Sequence, residues 1–131
     1  MGNDTYSYDD DPIGKRMSTP NNASVLAYLS NELNQYTNVA NGVTNTPSYD
    51  LDGNMLTYGG WTFAWNGENR LINASNSSVV ITHAYDYMGR RFQKVVDDGS
   101  SITTNTFAYD GWALIREEST TTTNHYVYGL D

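Results

Sequence analysis

Cysteine is absent from the 131-residue chain, which excludes disulfides, thiolate metal sites and cysteine nucleophiles. Positive charge is scarce as well, because seven Lys and Arg stand against fifteen Asp and Glu for a formal net charge of −8. Nucleic-acid binding needs clustered basic residues, so this balance argues against a nucleic-acid partner. It also argues against an anionic membrane surface, and no apolar run approaches the ~20 residues of a membrane helix. We therefore expect no nucleic-acid partner and no membrane insertion.

Aromatic residues are abundant in a chain that is otherwise rather polar. The sequence holds 11 Tyr, 3 Trp and 3 Phe, while hydrophobic residues make up only 38% of it. A disordered chain would be poor in aromatics, and a helical bundle would be rich in Ala, Leu, Glu and Lys. Tyr, Trp, Thr and Val favour strands, and Asn, Asp and Gly favour tight turns. The composition therefore predicts an all-β fold with many short hairpins.

Alternating patterns between turn signals locate the strands. The three aromatic residues of 61–65 fall on one face of an extended strand, and 79–85, 92–96 and 125–128 also read as strands. Asn-Gly and Asp-Gly pairs between the patterns favour tight hairpin turns. These pairs are Asn41-Gly42, Asp52-Gly53, Asn66-Gly67, Asp98-Gly99 and Asp110-Gly111. Residues 23–35 leave a choice open, because their apolar side chains recur at roughly helical spacing, and a short helix is the alternative to a strand there.

An aromatic–acid signature repeats along the chain with a period of about 20 residues, the length of one hairpin with its turns. Its copies comprise Tyr8, Asp9, Gly14 and Arg16; Tyr49, Asp50 and Gly53; Trp65, Asn69 and Arg70; Tyr85, Asp86, Gly89 and Arg90; and Tyr109 with Asp110. A degenerate copy starts at Tyr28, and Tyr128 marks the last. We expect the aromatic ring to pack between repeats and the acid to bond the turn that it opens. The Gly supplies a left-handed residue, and the Arg pairs with an Asp or stacks on a ring.

With these residues the chain resembles the YD repeat of Rhs-type proteins, bacterial toxin-complex shells and the related animal teneurins. Residues 84–91 match the repeat best, and 65–71 resemble a common variant of it with Asn66 in place of Asp. The resemblance covers about residues 6–131. The first copy departs from the pattern by three extra residues between Asp9 and Gly14, and the degenerate copy at Tyr28 lacks the Tyr-Asp pair.

The resemblance implies an all-β fold of serial antiparallel hairpins that form a curved, open-edged β-sheet ribbon. It implies a single YD-repeat domain over 1–131, with about six hairpin repeats, that can be a section of a larger shell. The implied role is structural and not enzymatic, at the surface of a bacterium or outside it, although no signal peptide is recognisable. About six hairpins are too few to close a shell, so open edges would join further repeats or other copies, even as a filament.

Two acidic clusters are candidate cation sites. Asp50, Asp52 and Asn54 have the oxygen spacing that begins a calcium loop, but the later bidentate Glu is missing. A hairpin turn with backbone-bonding side chains is the favoured interpretation, and the same holds for the acidic run 9–11. We therefore expect no cofactor, with calcium as the alternative.

Exposed aromatic rings provide the alternative function, a carbohydrate-binding module at the cell surface. Trp61, Trp65 and Trp112 could stack on sugars, with Trp61 and Trp112 as the chosen candidates, although the strand phase of all three favours packing between repeats. A hydrolase is a third possibility, since Glu68, Asp110, Glu117 and Glu118 offer carboxylate pairs. The only histidines, His83 and His125, sit in no nucleophile or zinc pattern, so no catalytic residue and no metal ligand is predicted.

Overall fold

The computed structural model describes residues 9–12, 14, 16–21, 24–41 and 43–128. None of these residues is helical, and their strands lie in two antiparallel sheets that are not closed into a barrel. The prediction of an all-β fold with open antiparallel sheets is therefore confirmed. The chain divides into two compact units between Gly60 and Trp61. A search of the described residues for helices long and apolar enough to cross a bilayer finds none.

The described residues of the first unit form seven short strands. Five of them form one antiparallel sheet in chain order: β1 (Asp9–Asp10), β2 (Arg16–Asn21), β3 (Ser24–Ser30), β4 (Tyr36–Asn41) and β5 (Val43–Asn45). The other two, β6 (Ser48–Tyr49) and β7 (Met55–Tyr58), pair with each other as a hairpin. Each of these strands pairs with a strand that is next to it in the sequence.

The second unit continues the same up-and-down pattern. Its strands are β8 (Trp61–Trp65), β9 (Leu71–Ser75), β10 (Val80–Tyr85), β11 (Arg91–Asp97), β12 (Ile102–Asp110), β13 (Ala113–Glu118) and β14 (Thr123–His125). Each pairs antiparallel with the next, as in Phe63 opposite Ala74 and Ala74 opposite Ile81. Turns at alternate connections therefore lie at the same end of the strands, which places every second turn of this unit side by side.

The strand predictions hold where alternation is strong and fail at the ends. The segment 61–65 is β8 with the predicted bounds, and 79–85 and 92–96 lie within one residue of β10 and β11. The predicted strand 125–128 is wrong beyond its first residue, because β14 ends at His125. The Thr-rich segment 119–124 begins as a turn and ends in a strand. Ser119 accepts hydrogen bonds from the N–H groups of Thr121 and Thr122, and β14 starts at Thr123.

The helical alternative for 23–35 is wrong for its described residues. Strand β3 runs to Ser30, and a turn follows from Asn31 to Gln35. Two of the apolar residues at helical spacing lie on no buried face, since Leu29 is 61% exposed and Leu33 is 77% exposed. The oxygen of Asn31 instead accepts two backbone N–H groups of the turn, so local turn chemistry outweighs the apolar spacing. Ala23 lies outside the described residues.

Few side chains are buried in either unit. Among the described residues the buried apolar side chains are Val39, at 5% exposure, Ala74, at 6%, and Pro47, and no large side chain is fully buried. Cross-strand hydrogen bonds and pairwise side-chain contacts therefore hold the sheets together, more than a shared apolar interior does.

Candidate functional site

The turn at Asp86 shows the geometry of the repeat most completely. The Asp86 N–H donates to the Arg90 carbonyl at 2.9 Å, and the Gly89 N–H donates to the Asp86 carbonyl at 2.9 Å. Oδ1 of Asp86 accepts the backbone N–H groups of Met88 and Arg90, at 2.9 and 3.0 Å. Gly89 has a φ of 83°, a left-handed conformation that glycine adopts without a steric penalty. Acid and glycine thus do what the sequence predicts of them.

Three other turns repeat this arrangement. In each, an Asp or Asn oxygen accepts the N–H groups of the residues two and four positions later, and the residue three positions later is left-handed. The opening and left-handed residues are Asn31 with Asn34, Asp50 with Gly53, and Asn66 with Asn69. The left-handed residue of the third turn is Asn69, at a φ of 58°, and not the glycine of the Asn66-Gly67 pair. Asn69 therefore takes the left-handed position in its turn that Gly89 takes in the Asp86 turn.

The first copy and the copy at Tyr109 deviate from this pattern. The Gly14 N–H donates to the Asp11 carbonyl at 2.9 Å, so the first turn begins at Asp11 and not at the aligned Asp9, which lies in β1. Tyr8 lies outside the described residues, and Arg16 begins β2 opposite Asp10. In the copy at Tyr109 the turn acid Asp110 pairs with Ala113, which leaves a two-residue turn.

The motif tyrosines reach back to the preceding repeat. The Tyr85 hydroxyl donates to the Leu71 carbonyl, at 2.9 Å. Three more pairs repeat this contact: Tyr49 with the carbonyl of Tyr36, Tyr109 with that of Arg91, and Tyr128 with that of Leu114. In each pair the acceptor is among the first two strand residues after the previous motif turn. A register shift in the strand pairing accompanies Tyr49, Tyr85 and Tyr109 and is typical of a bulge that redirects a side chain.

The motif arginines reach forward to the next repeat. The Arg70 guanidinium lies 5.8 Å from the Tyr85 ring centroid, and a Cβ on Gly89 would come within 2.9 Å of it. Arg90 repeats the arrangement over the Tyr109 ring at 5.2 Å and donates a hydrogen bond to the Gly111 carbonyl. Each of these repeats is therefore linked to its neighbour twice, by a tyrosine directed backward and an arginine directed forward.

Charge in the Asp86 turn is balanced locally. Arg90 forms an ion pair with Asp86 at 2.8 Å, and both side chains are largely buried. Partial desolvation raises the pKa of Asp86, but the hydrogen bonds from Arg90 and Met88 outweigh it, so the pKa lies below its usual value. The pKa of Asp50 is also lowered, first by the Asn54 side chain and then by backbone N–H groups. Both carboxylates are held ionised by the turns that they close.

The candidate calcium ligands form a turn. Both carboxylate oxygens of Asp50 are engaged, Oδ1 by the N–H groups of Asp52 and Asn54 and Oδ2 by the Asn54 side chain. Nowhere in the described ranges do three or more His, Asp or Glu side chains gather as a metal site would require. The hairpin-turn interpretation accounts for all of these contacts.

Three of the carboxylates considered for hydrolysis form ion pairs or hydrogen bonds with nearby side chains. Glu68 pairs with Arg70 at 2.7 Å, and Glu118 lies 3.7 Å from Arg116. Glu117 accepts hydrogen bonds from Asn105 and Tyr126. Glu117 is thus held against β12 and against the residues that follow β14, whereas the contact of Glu68 lies within its own turn and that of Glu118 within its own strand.

The aromatic candidates for sugar stacking differ in exposure. Trp61 is half-buried, whereas Trp112 is 71% exposed at the β12–β13 turn. The structure adds Tyr87, which is 93% exposed at the neighbouring β10–β11 turn and does not stand out in the sequence. Its position directly after the turn acid Asp86, where a side chain points to solvent, is the signal that could have identified it.

Half-buried His83 is a polar side chain in the middle of β10. Its Nδ1 atom has no hydrogen-bond partner among the described residues. Burial lowers the pKa of His83, and the positive charges of Arg91 and Lys94 lower it further. The imidazole is therefore neutral at pH 7 and packs in the sheet as an uncharged side chain.

An open groove in the first unit lies between two motif turns. Its wall includes Leu33 and Gln35 from one turn and Leu51 and Gly53 from the next. A Cβ on Gly53 would lie 3.5 Å from the Gln35 side chain, so Gln35 approaches Gly53 much as Arg70 approaches Gly89. The groove is thus part of the repeat contact.

Comparison with known proteins gives no independent assignment. No family model matches the chain, and a search of curated proteins finds no match.

Proposed function

We propose that the chain is a non-enzymatic structural module of YD repeats. It forms part of a β-shell or assembles with other copies through open sheet edges, at a bacterial surface or outside the cell. The observation that carries this proposal is the recurring pair of links between repeats, such as Tyr85 to Leu71 and Arg70 to Tyr85. Links of this kind join successive hairpins of the second unit, and further repeats can continue them.

Low burial supports an assembly role over an independent globular one. Few side chains are buried in either unit, and large apolar side chains are exposed in both, such as Leu51 in the first and Ile102 and Val127 in the second. Exposed apolar side chains that lie together mark an interaction site. Further repeats or further copies of the chain would cover it.

Light scattering coupled to size-exclusion chromatography tests the proposal, with the full chain taken from dilute solution to its solubility limit. The expected result is a concentration-dependent species larger than the monomer, whose shape electron microscopy then shows to be a fibre or a closed particle. A chain that stays monomeric over the whole range contradicts the self-assembly part of the proposal.

Carbohydrate binding is a second candidate, which the exposure of Trp112 and Tyr87 favours. The two rings project from neighbouring turns that the Arg90–Gly111 hydrogen bond connects. Aromatic rings exposed in this way can stack on the apolar faces of sugar rings. A glycan panel read by tryptophan fluorescence tests it: a shift lost in Trp112→Ala supports binding, and a flat response of the parent chain contradicts it.

A further inference from the structure

The edge of β14 lacks charged residues. Residues 119–128 contain no Asp, Glu, Lys or Arg, in a chain whose net charge is −8. Strand β1, by contrast, consists of Asp9 and Asp10 and is followed by Asp11. Charged side chains on an edge strand prevent pairing with other chains. Strand β1 therefore has this protection, and β14 does not.

The backbone of β14 has unpaired groups on its outer side. Within the described part of the chain β14 pairs with β13 alone, and the Tyr126 N–H donates to the Ile115 carbonyl at 3.0 Å. Backbone groups alternate in direction along an antiparallel strand. Those of Asn124 and Tyr126 consequently face β13, and those of Thr123 and His125 face outward, available to another strand.

Apolar side chains are exposed beside this edge. Val127 is 94% exposed, and Trp112, Ile115, Tyr126 and Tyr128 are partly or largely exposed in the same region of the second unit. The Tyr128 ring is held by its hydroxyl on the Leu114 carbonyl. However, the residue corresponding to Arg70 and Arg90 is Ala113, so no arginine of the preceding turn covers this ring.

We propose that β14 pairs antiparallel with β14 of a second copy, around a two-fold axis at Asn124. This inference rests on the proposed self-assembly and identifies the edge and the register through which it begins. In that register His125 of each copy lies opposite Thr123 of the other. Because Thr123 lies opposite Glu118 within its own sheet, each His125 has the other copy's Glu118 one strand beyond.

The charges along this register are complementary. Arg116 lies opposite His125, so the row across the interface runs from Arg116 and His125 in one copy to Thr123 and Glu118 in the other. The two-fold axis repeats the row in the opposite direction. Such an isologous contact closes on itself, so pairing at β14 produces a dimer and leaves growth to other surfaces.

A single cysteine at the axis tests the register in a chain that has none. The two copies of residue 124 would form a non-hydrogen-bonded antiparallel pair, with Cα atoms about 4.5 Å apart, within the range of a disulfide. We expect Asn124→Cys to form a disulfide-linked dimer under mild oxidation about fivefold faster or more than Thr123→Cys, whose partner is residue 125. Equal rates for the two variants would overturn the proposed register.

Charge variants test the interface without cysteine. His125→Glu places a carboxylate opposite the other copy's Thr123 and one strand from its Glu118, and we expect the dimer to weaken about tenfold. Tyr87→Glu adds the same charge on an exposed turn and should leave the dimer unchanged. Adding Glu118→Arg to His125→Glu restores opposite charges and the dimer. Analytical ultracentrifugation of the full chain separates the outcomes. If the parent chain and these variants assemble equally well, this inference is overturned and the proposed function stays intact. A strictly monomeric parent chain overturns this inference and the self-assembly part of the proposed function.

Discussion

The guanidinium of Arg90 lies over the ring of Tyr109, with 5.2 Å between the guanidinium carbon and the ring centroid. The same guanidinium pairs with Asp86 in its own turn and donates to Gly111 in the next turn. One side chain thus closes its own repeat and contacts the next one. This combination makes the contact measurable, since each of its partners can be changed separately.

A double-mutant cycle should detect the coupling between Arg90 and Tyr109. We expect Arg90→Gln and Tyr109→Leu to destabilise the chain by amounts that are not additive, with a coupling energy of about 0.5–2 kcal/mol. Urea unfolding followed by tryptophan fluorescence measures it. Arg116→Gln is the control, because its pair with Glu118 is long, at 3.7 Å, and half exposed. Additive losses would contradict the link.

Tyr85→Phe removes the hydroxyl that reaches Leu71 and keeps the ring beneath Arg70. The expected loss is about 0.5–1.5 kcal/mol in the free energy of unfolding, the net contribution of one such hydrogen bond. Tyr87→Phe removes the same atom from an exposed ring whose hydroxyl bonds to no described residue, and it should leave stability unchanged. Equal effects in the two variants would rule out a specific role for the Tyr85 hydroxyl.

Gly89→Ala should destabilise the second unit through the backbone and through Arg70. An L-residue at a φ of 83° costs about 1–2 kcal/mol, and the new Cβ would lie 2.9 Å from the Arg70 guanidinium. Gly67→Ala is the matched control, because Gly67 has no positive φ and a Cβ added there would have open space for 4 Å around it. It should raise stability by about 0.4–1 kcal/mol in thermal or urea unfolding. Destabilisation by both variants would contradict the assignment of the left-handed position.

Acid should destabilise the chain partly through Asp86. Its pKa in the folded chain lies below the ordinary 3.8, so its stabilising contribution is complete above pH 3.8 and is lost as the pH falls from there through the folded pKa. Asp86→Asn keeps an oxygen for the turn, as Asn66 does, and should flatten the loss of stability below pH 3.8. Urea midpoints measured across this range test the sign. Identical slopes for the parent and the variant would contradict it.

Strong local signals made much of the fold predictable. The aromatic alternation of 61–65 indicated strand β8, and the Asp86–Gly89 spacing indicated the turn, because each depends on residues close together in the sequence. The roles expected of acid, glycine and arginine in the turns follow from the same local chemistry. These local signals were sufficient to predict the all-β fold class.

Other features depend on contacts that one-dimensional patterns do not record. The first turn starts at Asp11 because the Gly14 N–H donates to the carbonyl of Asp11, three residues earlier. The repeat pattern instead predicts a turn that starts at the Asp of the Tyr-Asp pair, Asp9. Asn69 adopts the left-handed conformation although Gly67 was available, since the position in the turn matters more than residue preference. The backward reach of the tyrosines to strand carbonyls requires the sheet register, which the sequence does not state.

The consecutive strand order has a consequence for how the chain folds. Each strand pairs with strands next to it in the sequence, so the native contacts are local and the loop-closure entropy of each step is small. Folding can therefore start at any hairpin and spread to its neighbours, as in other linear repeat proteins. During synthesis such a chain can add one hairpin at a time to an existing sheet edge, without waiting for distant segments to emerge.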